Sequence, residues 1–258
     1  MTTETELIGQ QSSRFFRIRV VSETGSTNRD LMEEAAKGAP EGVVLVADHQ
    51  TVGRGRQGRA WLDEPRSSLL VSWILRPTGY DFGLIPLLTG MAVVDALADI
   101  GVVVGLKWPN DVLVASHGGR KLAGILAEAA QSPVAGQSPQ THVVVGLGLN
   151  LRFTAEPEAG DRAIDLATLV TTVPDRIELL RLVLGHVERY LVLLESGAAD
   201  SVRAAYAERC LTLGRDVRFE TPVSEVIGVA RSIDASGALV IDTSSGPVTV
   251  SAGDAHHL

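Results

Sequence analysis

Read at the period of a β-strand, residues 143–151 place Val143, Val145, Leu147, Leu149 and Leu151 on one face and Gly146, Gly148 and Asn150 on the other. An unbroken apolar face needs a core beneath it, and glycine inside a strand weakens packing unless something else takes the space. The chain is therefore held to a sheet with a packed core on one side. On the other side stands either a bound ligand or a closely approaching helix.

Signals on both sides of this strand alternate between the periods of strand and helix. Strands are expected at Arg14–Val21, Val43–Ala47, Ser68–Leu75, Val102–Trp108, Lys121–Ala129 and Thr141–Leu151. Ser26 or Thr27 is placed to cap a helix carrying Leu31, Met32 and Ala35, with Asp30 at a variant of the capping-box spacing and Gly38 and Pro40 at its end. Further helices are expected over Pro86–Leu97, over Asp175–Leu194, where apolar residues recur at helical spacing, and over Asp200–Arg209. Pro109-Asn110-Asp111 makes a turn, and Gln131–Gln140 and Arg152–Arg162 read as loops. After Leu211 the texture changes to short alternating strands broken at Asp234–Gly237 and Ser244–Pro247, as in a small β-barrel or meander. This gives two domains, 1–209 and 210–258, the first mixed α/β.

The 258 residues are 45% hydrophobic and 21% charged, and no run of about 18 or more apolar residues offers a membrane span. The acidic, polar start at Met1 is unlike a signal peptide, so a cytoplasmic protein is expected. The single cysteine, Cys210, permits no internal disulfide and reads as a small packed residue at a helix end. A net charge of −8 argues against general binding of nucleic acid. The six histidines show no zinc-like spacing.

Against that acidic background, Gly53-Arg54-Gly55-Arg56-Gln57-Gly58-Arg59-Ala60-Trp61 stands out. Glycines let backbone N–H groups approach and cradle an anion, guanidinium forks match phosphate or carboxylate oxygens, and Trp61 adds a flat apolar face. By itself the run also fits a solvated turn or a contact to single-stranded nucleic acid.

Three further motifs narrow the choice: Lys107-Trp108-Pro109-Asn110-Asp111, Lys121-Leu122-Ala123-Gly124-Ile125-Leu126-Ala127-Glu128 and Gly146-Leu147-Gly148-Leu149-Asn150, with Ser26-Thr27-Asn28 upstream of all. In this order they resemble the bacterial biotin protein ligases, from about Thr24 to the C-terminus. The resemblance implies an α/β catalytic domain similar to class II aminoacyl-tRNA synthetases, followed by an SH3-like barrel. It also implies activation of biotin by ATP with Mg2+ and transfer to one lysine of a biotin carboxyl carrier protein or domain. Neither DNA nor membrane is an expected partner, and a homodimer stays open beside a monomer.

Carried over residue by residue, the resemblance places biotin against Ser26, Thr27, Asn28, Gln50, Gly53, Arg54, Gly55, Arg56, Lys121, Gly124, Gly146 and Gly148. It places the adenylate or ATP against Arg54, Arg56, Arg59, Trp61, Lys107, Asn110, Asp111, Lys121 and Asn150. Lys121 and Arg56 are the expected catalytic pair, because joining a carboxylate to AMP brings two anions together and both need neutralising. Period-two alternation puts Lys121 on one face with Ala123, Ile125 and Ala127, and Leu122, Gly124, Leu126 and Glu128 on the other. No metal ligands can be chosen.

Gln57 stands where many relatives carry a basic residue, which leaves the second half of the loop less positive. About two dozen residues precede Ser26, too few for the winged helix-turn-helix of repressor-type ligases, so the monofunctional kind is expected. Two rivals remain: a lipoate ligase with the same adenylate logic, and a non-catalytic biotin- or nucleotide-sensing regulator.

Overall fold

The computed structural model describes residues 14–15, 17–134, 137–154, 162–220, 225–251 and 253–258. The expectations about the chain's start, and parts of both predicted loops, fall outside them.

The strands β1 (Arg17–Val21), β2 (Val43–Ala47), β3 (Ser68–Leu75), β4 (Gly105–Lys107), β5 (Asp111–Val114), β6 (Arg120–Val134) and β7 (Gln137–Asn150) form one sheet in the order β1-β2-β3-β7-β6-β5-β4. Only β1 and β2 run parallel; the other neighbours are antiparallel. Helix α1 (Thr27–Ala36) lies on one face, where Leu31 and Ala35 pack with Val43, Leu45, Ile74 and Val144. On the other face α2 (Leu84–Asp99), α3 (Arg176–Glu195) and α4 (Ala199–Arg209) cover Val71, Trp73, Val143, Val145, Leu147 and Leu149. The strand that constrained the fold is therefore buried on both faces, with its valine–leucine row in the larger core.

The helix expected to begin after Pro86 begins at Leu84 instead. Proline in the first turn costs nothing, because that turn's N–H groups lack intrahelical partners anyway. Gln131–Gln140 is not a loop: β6 and β7 run on as a hairpin whose register continues to Val134 and Gln137. Residues 130–134 and 137–142 pair only with each other among the described strands, so this ribbon is not part of the larger sheet's core and its composition hides it.

A second sheet is made of β8 (Asp216–Glu220), β9 (Glu225–Ile233), β10 (Leu239–Thr243), β11 (Gly246–Val250) and β12 (Asp254–His257), in the antiparallel order β11-β10-β9-β8-β12. It is an open meander with β11 and β12 at its edges, not a closed barrel, among the described residues.

Trp108 joins the two sheets. It is 2% exposed, its indole Nε1 donates to Gly237 O at 3.0 Å, and its ring lies 5.9 Å from Phe219. Its backbone N–H donates to Thr212 Oγ1 at 3.0 Å, while Leu211 N donates to Leu106 O at 2.7 Å. The turn after β4 is thus anchored from the C-terminal sheet. Cys210 is buried at the end of α4, as its small size suggested.

Candidate active site

Two cavities open on the α1 side of the large sheet and share Arg59, Trp61, Asp111 and Lys121 as common wall. The smaller is about 140 Å3 and the larger about 1130 Å3.

The closed end of the smaller cavity is neutral and polar. Ser26 occupies the N-cap position of α1 in extended conformation, but its side chain makes no cap bond. Asp30 makes no capping box either: it accepts from the Thr24 hydroxyl. Thr27, the first helical residue, donates from N to Gln50 Oε1 at 2.8 Å and from Oγ1 to the same oxygen at 3.0 Å. Ser72 Oγ lies 2.7 Å from Thr27 Oγ1 and donates to Asn28 Oδ1 at 2.6 Å. Asn28 Nδ2 in turn reaches Glu128 Oε2 at 2.9 Å and Leu126 O at 3.3 Å. Two hydroxyls bring two protons to three short contacts, so at any moment one of the three is without a hydrogen. Ser26, Thr27 and Asn28 are all buried, which holds this polar set away from bulk water.

The glycine face of β7 lines the smaller cavity and is at the same time closely approached by protein. A Cβ at Gly146 would stand 2.2 Å from Asn28 Oδ1, and one at Gly148 would stand 2.5 Å from the Trp61 ring. Of the two occupants the sequence left open, the approaching helix accounts for Gly146, since Asn28 is in the first turn of α1. Trp61, from the glycine-arginine loop, accounts for Gly148.

Lys121 departs from the expected alternation. Between Val112 and Leu113 the β5–β6 register slips, so that Val112 faces Ala123 but Leu113 faces Lys121. Leu122 is the extra residue of a β-bulge and goes fully into the core, and Lys121 turns to the side of Gly124. There Lys121 Nζ sits 2.6 Å from Asp111 Oδ1 and 5.5 Å from the Trp61 ring centre. The lysine is an ion-paired, partly covered cation at the junction of the two cavities, not a strand-end group in solvent.

Asn110 is largely committed to structure. Its Nδ2 donates to Ile125 O and its own backbone O accepts from Ile125 N, both at 2.9 Å. Its Oδ1 still accepts from an Arg56 guanidinium nitrogen at 3.3 Å. The glycine-arginine run is a narrow hairpin: Arg54 bridges Ala60, Gly55 N donates to Arg59 O at 2.7 Å, and Trp61 N donates to Gly53 O at 3.0 Å. It sets Arg54, Gly55, Arg56 and Arg59 along the small cavity. Gly53 closes the hairpin's neck behind them.

Lys107 and Asn150 line the larger cavity only. Asn150 Nδ2 donates to Ile164 O at 3.0 Å and reaches Lys121 O at 3.4 Å, tying residues 163–164 to the start of β6. Among the charged and imidazole groups of this wall, sequence reasoning missed Asp63, Glu64, Arg120 and Arg162 from the first domain, and Arg215, His256 and His257 from the second. His257 is pushed down to about 4 by burial and then by Lys107, Arg215 and His256, so it is neutral at pH 7. Its Nε2 lies 3.0 Å from Thr212 Oγ1, the hydroxyl that accepts from Trp108 N. Ser72, Glu128 and the pair His49–Asp63 also escaped notice. A lone serine in the apolar run 69–75 was the available signal for the first.

Residues 19–150 match the Biotin/lipoate A/B protein ligase family, and residues 212–258 match the Biotin protein ligase C terminal domain. The chain is 42% identical to the biotin–[acetyl-CoA-carboxylase] ligase of Mycobacterium tuberculosis, over 98% of this chain and 93% of that one. It is 31% identical to the bifunctional ligase/repressor BirA of Bacillus spizizenii, over 94% of this chain and 73% of that one. Among solved structures, the biotin protein ligase from Aquifex aeolicus in complex with biotin and ATP superposes with a TM-score of 0.78 at 29% identity, covering 93% of this chain and 97% of that one.

Proposed function

The chain belongs to the biotin protein ligases of the biotin/lipoate A/B protein ligase family, and from that premise we propose how its own residues carry the reaction. Biotin is activated by ATP to biotinyl-5′-AMP and transferred to a lysine of a biotin carboxyl carrier domain. One observation carries the assignment of sites: a smaller cavity, neutral and polar at its closed end, meets a larger basic cavity at Lys121.

The ureido ring of biotin is uncharged and needs matched donors and acceptors. Ser26, Thr27, Asn28 and Gln50 supply these at the closed end, where Gln50 has its carbonyl taken by Thr27 and keeps its NH2 as donor. The carboxylate then points to Lys121, with Arg54, Gly55 and Arg56 above it and Gly124, Gly146 and Gly148 forming the floor with the side chains packed on them. ATP occupies the larger cavity, with the α-phosphate near Lys121, Trp61 against the adenine, and Lys107, Arg59, Asn110, Asp111 and Asn150 around the nucleotide.

A carboxylate oxygen attacks the α-phosphorus and pyrophosphate leaves; the carrier's lysine amine then attacks the acyl carbon and AMP leaves. Lys121 and Arg56 neutralise the two anions that must approach, which is where electrostatic preorganisation acts most strongly. When the nucleotide arrives, Lys121 exchanges its contact with Asp111 for the phosphate and carboxylate oxygens. Among the described residues no group of three or more His, Cys, Asp or Glu side chains is placed to hold a metal. Mg2+ would be held mainly by the oxygens of the triphosphate and by water, the ligands this ion favours at nucleotide sites.

We further read residues 210–258 as a separate SH3-like domain, supported by the return of β12 to β8, and the first domain as the synthetase-like catalytic unit. We also infer a cytoplasmic location; separately, no helix among the described residues is long and apolar enough to cross a membrane. A homodimer remains to be tested by sedimentation. Biotin-dependent exchange of pyrophosphate into ATP tests the activation step: exchange with biotin and none with lipoate supports the reading. Exchange with lipoate alone, or binding of biotin without exchange, favours one of the two rivals.

A further inference from the structure

The neck of the glycine-arginine hairpin has a fastening that the reaction outlined above does not use. Backbone bonds join its two limbs at Gly53–Trp61, by Trp61 N to Gly53 O at 3.0 Å, and at Asp48–Arg66, by Arg66 N to Asp48 O at 2.7 Å. Between these rungs the limbs are spanned at Asp63 Oδ2, which lies 3.0 Å from His49 Nδ1 and accepts a longer bond from Gln50 N at 3.5 Å. Apolar packing does not hold this stretch, because Val52 and Leu62 are 57% and 61% exposed. The Asp63 side chain, by contrast, is fully covered, and its Oδ1 has no hydrogen-bond partner. A buried carboxyl with one oxygen unpaired is costly to keep, and burial raises its pKa; the donor on His49 offsets part of that cost.

Resting on the biotin ligase reading, we propose that His49 and Asp63 are a positioning pair that fixes the distance across the hairpin's neck and thereby the affinity of the site for biotin. His49 immediately precedes Gln50, whose carbonyl oxygen takes both Thr27 donors at the polar end of the small cavity. Asp63 follows two residues after Trp61, which packs on Gly148 and faces Lys121. The pair therefore couples the residue at one end of the pocket to the ring that walls the other. Without the imidazole only the 3.5 Å bond from Gln50 N would join the limbs between the rungs, and the spacing of Gln50 from Trp61 would be held less tightly. Neither His49 nor Asp63 contacts a reacting atom in this arrangement, so the contacts at stake serve substrate and transition state alike. Losing such uniform binding raises KM and leaves kcat unchanged.

The test uses the full chain and biotin-dependent pyrophosphate exchange. His49→Ala should raise the KM for biotin roughly 10-fold, in the range of a hydrogen bond to a charged group, with kcat within about twofold of wild type. His49→Asn places an amide NH2 where the ring carries Nδ1 and should return KM to within about threefold. A role confined to overall stability would lower the unfolding temperature without this split or this rescue. His49→Phe keeps the ring's bulk, loses the donor and carries the same expectation should the alanine variant not fold. A wild-type KM in either folded variant, or an asparagine variant no better than alanine, overturns the proposal. If wild type itself shows no biotin-dependent exchange, the ligase reading fails instead, so the two failures are distinct.

Discussion

Gly146→Ala should strike the polar end of the pocket through protein packing alone. The added Cβ would fall 2.2 Å from Asn28 Oδ1, whereas real Cβ contacts begin near 3.0 Å, so the amide has to retreat by about 0.8 Å. Asn28 cannot retreat freely. It accepts from Ser72 at 2.6 Å and donates to Glu128 at 2.9 Å, and it is 4% exposed. Losing a neutral hydrogen bond costs about 0.5–1.5 kcal/mol, weakening one to a carboxylate up to about 3 kcal/mol, and overpacking adds about 1–3 kcal/mol. A net destabilisation of about 2–5 kcal/mol lowers the melting temperature by roughly 5–15 °C in a chain this size. Biotin affinity should fall as well. The assay is thermal unfolding and calorimetric biotin titration of Gly146→Ala, Asn28→Ala and the double variant. Asn28→Ala deletes all three nearest atoms, so the double variant should be less destabilised than the sum of the singles by about 1 kcal/mol or more. Additivity within about 0.5 kcal/mol, or a melting temperature unchanged in Gly146→Ala, would refute the claim that this glycine exists to admit Asn28.

Lys121→Ala should lower biotinyl-AMP formation by roughly 10²-fold or more while far-ultraviolet circular dichroism stays as in wild type, because a preorganised cation leaves the reacting centre and the fold loses only its contacts with Asp111, Gly124 and the Trp61 ring. Near-normal pyrophosphate exchange would remove Lys121 from the mechanism. Arg56→Gly should release the adenylate roughly 10- to 150-fold faster, if the loss of a charge-assisted contact is expressed in dissociation, and so increase labelling of a bystander lysine-rich protein. Equal bystander labelling with synthesis intact would count against it. His257 has a folded pKa of about 4, below its ordinary 6.5, so the unfolded chain takes up a proton that the folded one refuses. Stability from this group is complete above about 6.5 and is lost as pH falls towards 4, by linkage. Denaturant titrations from pH 7 to 5 should show a shallower decline in His257→Gln, and an identical decline would remove His257 as a cause.

Much of the catalytic layer was legible because it is repetitive in the right way. The row Val143, Val145, Leu147, Leu149 had to face a core, and the helix patterns of residues 176–195 and 199–209 follow from apolar spacing. The direction of Lys121 was not legible, since a single bulged residue at Leu122 reverses the face of everything before it, and local sequence does not announce the slip. Nor was the bridge built by Trp108. A tryptophan inside a motif reads as part of a site, and only the tertiary fold brings Gly237 and Thr212, more than 100 residues away in the chain, to its two N–H groups. The glycines of β7 were legible as a close approach, but not as to what approaches. Of the residues that bring positive charge to the larger cavity, Arg59, Lys107 and Lys121 lie in motifs, whereas Arg120, Arg162 and Arg215 are scattered over both domains and no motif marks them.

The most direct test of the account is transfer itself: incubation of the protein with biotin, ATP and a purified biotin carboxyl carrier domain, followed by intact mass and peptide mapping of the carrier. The account predicts one biotinyl group on one lysine, dependent on ATP, with lipoate unable to replace biotin and with Lys121→Ala failing to label. A carrier left unmodified while wild type binds biotin tightly, or a carrier modified equally well by lipoate, would contradict it.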